Sequence, residues 1–308
     1  MKRRDFVARA GAGLAGAFLP PLPRLRRERF VERWSWAMGQ PVHVMVVAES
    51  EDQGLEACAQ ALAELRRVEA RLSLFDDASD LCELNRHAGR GPMRADHDLR
   101  DVLAAAARFQ DQTAGAFNAA VEPLMRMYGF RGAPISEWPD RAAFEEAVES
   151  VATAVVRMSG DAVSLPNAHT QLDFGGIAVG YGIDRAVGVL RAAGIRRGFV
   201  DVSGDCFGLG APPGDARGWV VQIAGARREV RLRDTALATS SELKSVVRIG
   251  SGVSTIGHIM NPASGFPVDT ERQVTVVAAT AIAADALSTG TLVRGEACGG
   301  VQAIFTAG

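Results

Sequence analysis

The stretch LDFGGIAVGYGID, residues 172–184, restricts what this chain can fold into more than any other part of it. An apolar run ends at Asp173, two glycines follow at Gly175 and Gly176, and an amphipathic run begins. Backbone without Cβ atoms can approach a ligand closely, and the amides that open a helix can face an anion. The same glycines would also serve a tight strand-to-helix turn. On these grounds alone the segment is an anion or nucleotide site, or simply a turn.

Hydrophobic periodicity places elements around it. Residues 41–48 are rich in Val and partly alternate, which predicts a strand. Leu55, Ala59, Leu62, Leu65, Val68 and Leu72 recur at three- and four-residue spacing and predict a helix over 52–72. Residues 79–85 read as a turn entering a short helix. Further helices are expected at 98–113, stopped by Gly115, at 138–148, at 177–193 before Gly194, and at 281–293. Strands are expected at 154–158 and 162–165, joined by Ser159-Gly160, and at 198–202, 219–223, 229–232, 274–278 and 301–305. Helices and strands mix without strict βαβ alternation, which favours an α+β fold with antiparallel sheet.

Composition narrows the class. Of 308 residues 47% are hydrophobic and 23% charged, with a formal net charge of -2, so no basic excess points to nucleic acid. The four cysteines, Cys58, Cys82, Cys206 and Cys298, form no CxxC pair, which argues against a structural zinc site. Cys58 falls in a helical pattern and is expected to pack as a small apolar group.

The first residues read as a targeting segment. Arg3 and Arg4 precede Phe6, and a Gly- and Ala-rich stretch runs from Ala8 to Leu19. It resembles a twin-arginine export signal, with Ala15-Gly16-Ala17 as a small-x-small cleavage site. It is too short and too rich in glycine to span a bilayer. The expectation is residues 1–30 as signal and following segment, and residues 31–308 as one periplasmic domain.

Two distant segments carry further chemistry. ADALST, residues 284–289, puts Asp285, Ser288 and Thr289 on one helical face at i, i+3 and i+4. A carboxylate beside hydroxyls offers the hard oxygen donors that Mg²⁺ prefers, though the hydroxyls could equally bond back to carbonyls. His258, in HIMNPASG, lies in a turn-rich loop, either as a surface histidine or as a base.

In this order the three segments resemble the ApbE family, FAD:protein FMN transferases. Colinear blocks extend the resemblance from Met38 to Thr289: Ala37-Met38-Gly39, Phe75, residues 79–85, Gly115-Ala116-Phe117-Asn118, Val121-Glu122-Pro123-Leu124, Tyr128-Gly129-Phe130, residues 201–205 and 238–241. The resemblance implies a two-lobed, T-fold-related α+β architecture, mostly antiparallel sheets flanked by helices, with FAD in the cleft between lobes. It implies that Met38, Phe75, Asn85, Ala116, Phe117, Asn118, Asp173, Val179 and Ile259 bind FAD. It makes Asp285, Ser288, Thr289 and a backbone oxygen of Gly176 (or Ala178) the Mg²⁺ ligands, and His258 the base. The implied reaction moves FMN from FAD to a Ser or Thr hydroxyl of an acceptor flavoprotein and releases AMP. An FAD-holding protein and an Mg²⁺-dependent FAD pyrophosphatase are the alternatives. The chain departs from the family pattern at Val179, commonly Lys, at Asn118 and Asn261, commonly Asp, and at Tyr128, commonly Trp.

Overall fold

A computed structural model describes residues 28–131, 137–223, 225–226, 228–242, 244–249 and 252–307. The twin-arginine motif and its cleavage site lie outside these residues. The chain enters through a hairpin, β1 (Arg29–Ala37) and β2 (Gln40–Ala48), in register from Arg29↔Ala48 to Ala37↔Gln40. Its two-residue turn, Met38-Gly39, has φ of 56° and 68°, the left-handed pair that matches strand twist in tight hairpins. Arg29 and Phe30, at the end of the segment expected to follow the signal, are already paired with β2. β1 escaped the pattern reading because it is an edge strand whose Glu32, Arg33, Trp34 and Trp36 are exposed.

Helix α1 (Glu51–Leu72) follows, with the Ser50 hydroxyl accepting from Gln53 N–H at 3.2 Å and Leu62, Leu65 and Val68 facing the core. Then come α2 (Asp80–Arg86), β3 (Met93–Arg94), α3 (His97–Gln112), α4 (Glu122–Met127) and α5 (Arg141–Ala152). α5 starts later than its apolar pattern because Asp140 caps it, accepting from Ala143 N–H at 2.9 Å. β4 (Arg157–Ser159) and β5 (Ala162–Ser164) form the expected hairpin, with β4 starting three residues later and the turn one residue later, at Gly160-Asp161, with Gly160 at φ +61°.

α6 (Ala178–Ala192) leads into β6 (Gly198–Val202), β7 (Asp205–Leu209), β8 (Trp219–Gln222), β9 (Glu229–Leu232), β10 (Thr235–Ser241), β11 (Lys244–Ile249) and β12 (Gly252–Gly257). β13 (Arg272–Ala278), α7 (Ala281–Arg294) and β14 (Gln302–Ala307) complete the chain. Seven strands form one sheet in the order β1-β2-β6-β7-β10-β13-β14, every neighbouring pair antiparallel. The sheet is open, ending at β1 and β14, so the architecture is α+β without a closed barrel. One face packs against α1, α6 and α7 through Val44, Val46, Val200, Ile183 and Leu65. The β8–β9 hairpin covers part of the other through Trp219, Val221 and Leu232. Among the described residues no helix is long and apolar enough to cross a membrane. All four cysteines are buried as free thiols. Burial pushes the Cys58 thiol up to about 11, as suits a packing role.

Candidate active site

A cleft of about 730 Å³ opens where the ends of β6, β7 and β10 meet the starts of α6 and α7. Such a volume suits a cofactor-sized ligand. Ala116, Phe117, Asn118, Asp173, Gly176, Val179, His258, Ile259, Asp285 and Thr289, all singled out above, line it.

The glycine segment builds its floor. Asp173 N–H donates to Ala119 O at 2.7 Å, and Gly175 N–H returns to Asp173 Oδ1 at 2.6 Å, so the carboxylate shapes its own turn. α6 then begins one residue after Ile177, which supplies no side-chain cap. Gly180 is where a side chain cannot be tolerated: an added Cβ would sit 2.3 Å from Ala281 O. Its absence lets α6 touch the start of α7, and Gly180 N–H donates to Asp285 Oδ2 at 2.9 Å. Asp184, one turn on, accepts from Ala281 and Ile282 N–H at 2.8 and 2.9 Å and so caps α7. One segment thereby fixes both ends of the contact that presents Asp285.

Asp285 is buried, and burial pushes its carboxyl up to about 7; the Gly180 amide only partly opposes this. Asp205, at the start of β7, lies close enough to repel it, and its carboxyl is also raised, first by burial and then by Asp285. Among the described residues no ion pair reaches either acid. A buried carboxylate beside a half-buried one, with no counter-charge, is a cost that a bound cation removes. The donors around them are hard oxygens, with the Thr289 hydroxyl close to Gly176, where an added Cβ would stand 3.0 Å from Thr289 Oγ1. This set fits Mg²⁺ better than a softer metal. Asp205 was not singled out in the sequence. It is delivered by the two-residue turn Ser203-Gly204, held in left-handed geometry by Asp201 Oδ1 accepting from Gly204 N–H at 2.7 Å.

Four of the residues singled out stand back from the cleft lining. Ser288 is fully buried, its hydroxyl donating to Asp285 O at 2.9 Å and lying 2.8 Å from Ser240 Oγ, which also lies 3.2 Å from Thr289 Oγ1. It braces the helix, which is the back-bonding alternative considered for this face. Asn85 is buried too, and both its amide groups are spent on Leu172: Nδ2 donates to O at 2.9 Å and Oδ1 accepts from N–H at 2.8 Å. It clamps the segment that delivers Asp173. Met38 sits in the β1–β2 turn and packs between two core clusters, while Gln40 of that hairpin reaches the cleft. Phe75 is 83% exposed and stands at the rim, with the Arg131 guanidinium 5.1 Å from its ring centre.

The opposite wall comes from the end of α3 and the loop after β12. Thr113 Oγ1 accepts from Phe117 N–H at 2.9 Å and donates to Phe109 O, turning the chain so that residues 116–118 face inward. Asn118 Oδ1 accepts from Ala120 N–H at 2.8 Å, a turn role that asparagine and aspartate fill equally. His258 is half-buried and lines the cleft beside Ile259 and Met260. Its loop is closed by Asn261, whose Oδ1 accepts from Ala263 and Ser264 N–H at 3.0 and 3.3 Å. Asn261 therefore performs the turn function open to an aspartate at that position.

The cleft is thus built where the strand ends of an open antiparallel sheet meet a glycine-rich helix start, with uncompensated acids beside them. The chain belongs to the ApbE family, whose family model matches residues 38–302. It is 32% identical to the FAD:protein FMN transferase of Treponema pallidum over 284 residues, covering 81% of this chain and 76% of the relative. It is 25% identical to that of Haemophilus influenzae, covering 84% and 79%. Its fold is similar to that of the flavinyl transferase ApbE of Pseudomonas stutzeri in its apo form, with a TM-score of 0.78, 24% identity and 93% of each chain covered.

Proposed function

We propose that this protein transfers FMN from FAD to a Ser or Thr hydroxyl of an acceptor flavoprotein and releases AMP, acting in the periplasm after twin-arginine export. The observation that carries the reading is the convergence of Asp173, Gly176, His258, Asp285 and Thr289, from three distant segments, on one cleft. The acceptor oxygen forms a bond to the FMN-side phosphorus. The bond from that phosphorus to the bridging oxygen breaks, and its electron pair leaves with AMP. His258 takes the hydroxyl proton, because a neutral hydroxyl is a poor nucleophile. Asp285, Thr289 and the Gly176 carbonyl would hold Mg²⁺. When bound, that ion neutralises charge on pyrophosphate oxygens. Asp173, Phe117 and Ile259 border the dinucleotide, and Gly176 leaves room for it.

The test is product analysis. Purified protein is mixed with FAD, Mg²⁺ and an extract of cells lacking this gene. A covalently flavinylated protein band with stoichiometric AMP supports transfer. Free FMN with AMP would indicate a pyrophosphatase, and unchanged FAD a holding protein.

A further inference from the structure

The described lining of the cleft holds four carboxylates, Asp173, Asp205, Glu242 and Asp285, against one arginine, Arg131, and no lysine. Arg131 follows α4 and contacts Asp173, its neighbour Phe130 and Glu122. Nη2 donates to Asp173 Oδ2 at 2.5 Å, Nη1 donates to Phe130 O at 3.3 Å, and Nε faces buried Glu122 at 3.4 Å. Its guanidinium carbon lies 5.1 Å from the centre of the Phe75 ring. The Phe75 backbone is tied down by its N–H donating to Ser73 Oγ at 3.0 Å, yet its ring remains 83% exposed. A planar cation can pair edge-on with a carboxylate while stacking on a ring, which an ammonium cannot do.

We infer that Arg131 is a positioning residue, joining Phe75 and Asp173 into one platform for a flat ring of the bound dinucleotide. The ligand ring stacks on the exposed surface of Phe75, backed by the guanidinium. Asp173, held by the same guanidinium, accepts a hydrogen bond from the ligand. Without Arg131 the two contacts, 98 residues apart in sequence, would have no common support, and the Phe75 ring would be a solvated side chain. The inference rests on the cleft being an FAD site.

The test is a double-mutant cycle read by quenching of FAD fluorescence. Arg131→Met and Phe75→Leu are each expected to weaken FAD binding about tenfold. Because both break one platform, the double variant should bind little more weakly than either single one. Arg131→Lys keeps the charge beside Asp173 without the planar stack and should recover only part of the loss. In turnover the loss should fall on the KM for FAD more than on kcat, which a general loosening of the fold would not produce. AMP and FMN, used separately as competitors, identify the ring: the one that loses affinity alongside FAD is the one stacked. Independent, multiplying effects of the two single variants would overturn the inference, as would unchanged FAD affinity or full rescue by lysine. If Arg131→Met fails to fold, Arg131→Lys and Phe75→Leu complete the comparison. If the unaltered protein fails to bind FAD, the reading of the cleft falls and this inference falls with it.

Discussion

Two groups of buried and half-buried acids in this molecule differ in their counter-charges, and that difference separates framework from site. Asp98, at the start of α3, has a fully buried side chain. It receives Arg67 Nη2 at 3.0 Å and the Tyr181 hydroxyl at 2.7 Å, while Glu64 accepts from Arg67 at 2.8 and 2.9 Å and from Arg185 at 3.1 Å. Burial pushes the Asp98 carboxyl up, but Arg67 and Tyr181 outweigh it and the net direction is down. These bonds tie α1, α3 and α6 together. Asp285 is buried and Asp205 half-buried, neither has a cation among the described residues, and both are pushed up. Paired buried charge holds a fold together, whereas unpaired buried charge awaits a ligand.

The largest expected contrast is between two alanine substitutions. Asp285→Ala should lower FMN transfer by about 10³-fold or more while the melting temperature holds or rises, since a buried, unbalanced carboxylate is removed. Asp98→Ala should leave transfer intact but cost about 2–3 kcal/mol of stability by denying Arg67 and Tyr181 their acceptor. Denaturant curves and transfer rates on both variants check this. Loss of transfer in well-folded Asp98→Ala, or unfolding of Asp285→Ala, would erase the distinction between the two groups.

His258→Ala sharpens it within the cleft. General-base assistance is worth about 10²–10⁴-fold, so transfer should fall in that range while FAD binding persists. Proportional loss of FAD affinity would make His258 a binding residue instead. Gly180→Ala probes the backbone beneath Asp285. The new Cβ must displace Ala281 backbone, and a cost of about 2–3 kcal/mol is expected, visible as a shifted unfolding midpoint. No shift would mean that the α6–α7 contact relaxes easily.

These comparisons also explain what could be read in advance. LDFGGIAVGYGID and ADALST were legible because glycine, carboxylate and hydroxyl spacing is a local property, and the structure puts Asp173, Gly176, Asp285 and Thr289 in the same cleft. Asp205 and Arg131 were not, because their roles depend on partners far along the chain: strand order brings β7 to α7, and the end of α4 to Phe75. Asn85 and Ser288 illustrate the converse. Their positions were legible, but only the fold shows the bonds their polar groups make to Leu172, Asp285 and Ser240. Strand β10, Thr-Ala-Leu-Ala-Thr-Ser-Ser, lacked a pattern because its small residues are chosen to admit α7 and the cleft.

The smallest and most discriminating prediction concerns pH. For Asp98 the folded pKa lies below its ordinary value of 3.8, so the unfolded chain binds more protons on acidification. Its stabilisation is present above about pH 4 and is lost as pH falls further. For Asp285 the folded pKa rises from 3.8 to about 7, so the native state binds more protons between those values. Stability from this group therefore declines as pH rises from about 4 to about 7, and Asp205 adds to the same slope. In chelator the melting temperature should fall by a few degrees between pH 5 and 7. Asp285→Asn should flatten that limb and leave the acid limb alone; Asp98→Asn should do the reverse. Added Mg²⁺ should flatten the upper limb in the unaltered protein and in Asp98→Asn but not further in Asp285→Asn, since a bound cation supplies the missing counter-charge. A slope above pH 5 that survives Asp285→Asn and ignores Mg²⁺ would place the uncompensated charge elsewhere. The two acid groups would then differ in degree of pairing rather than in kind.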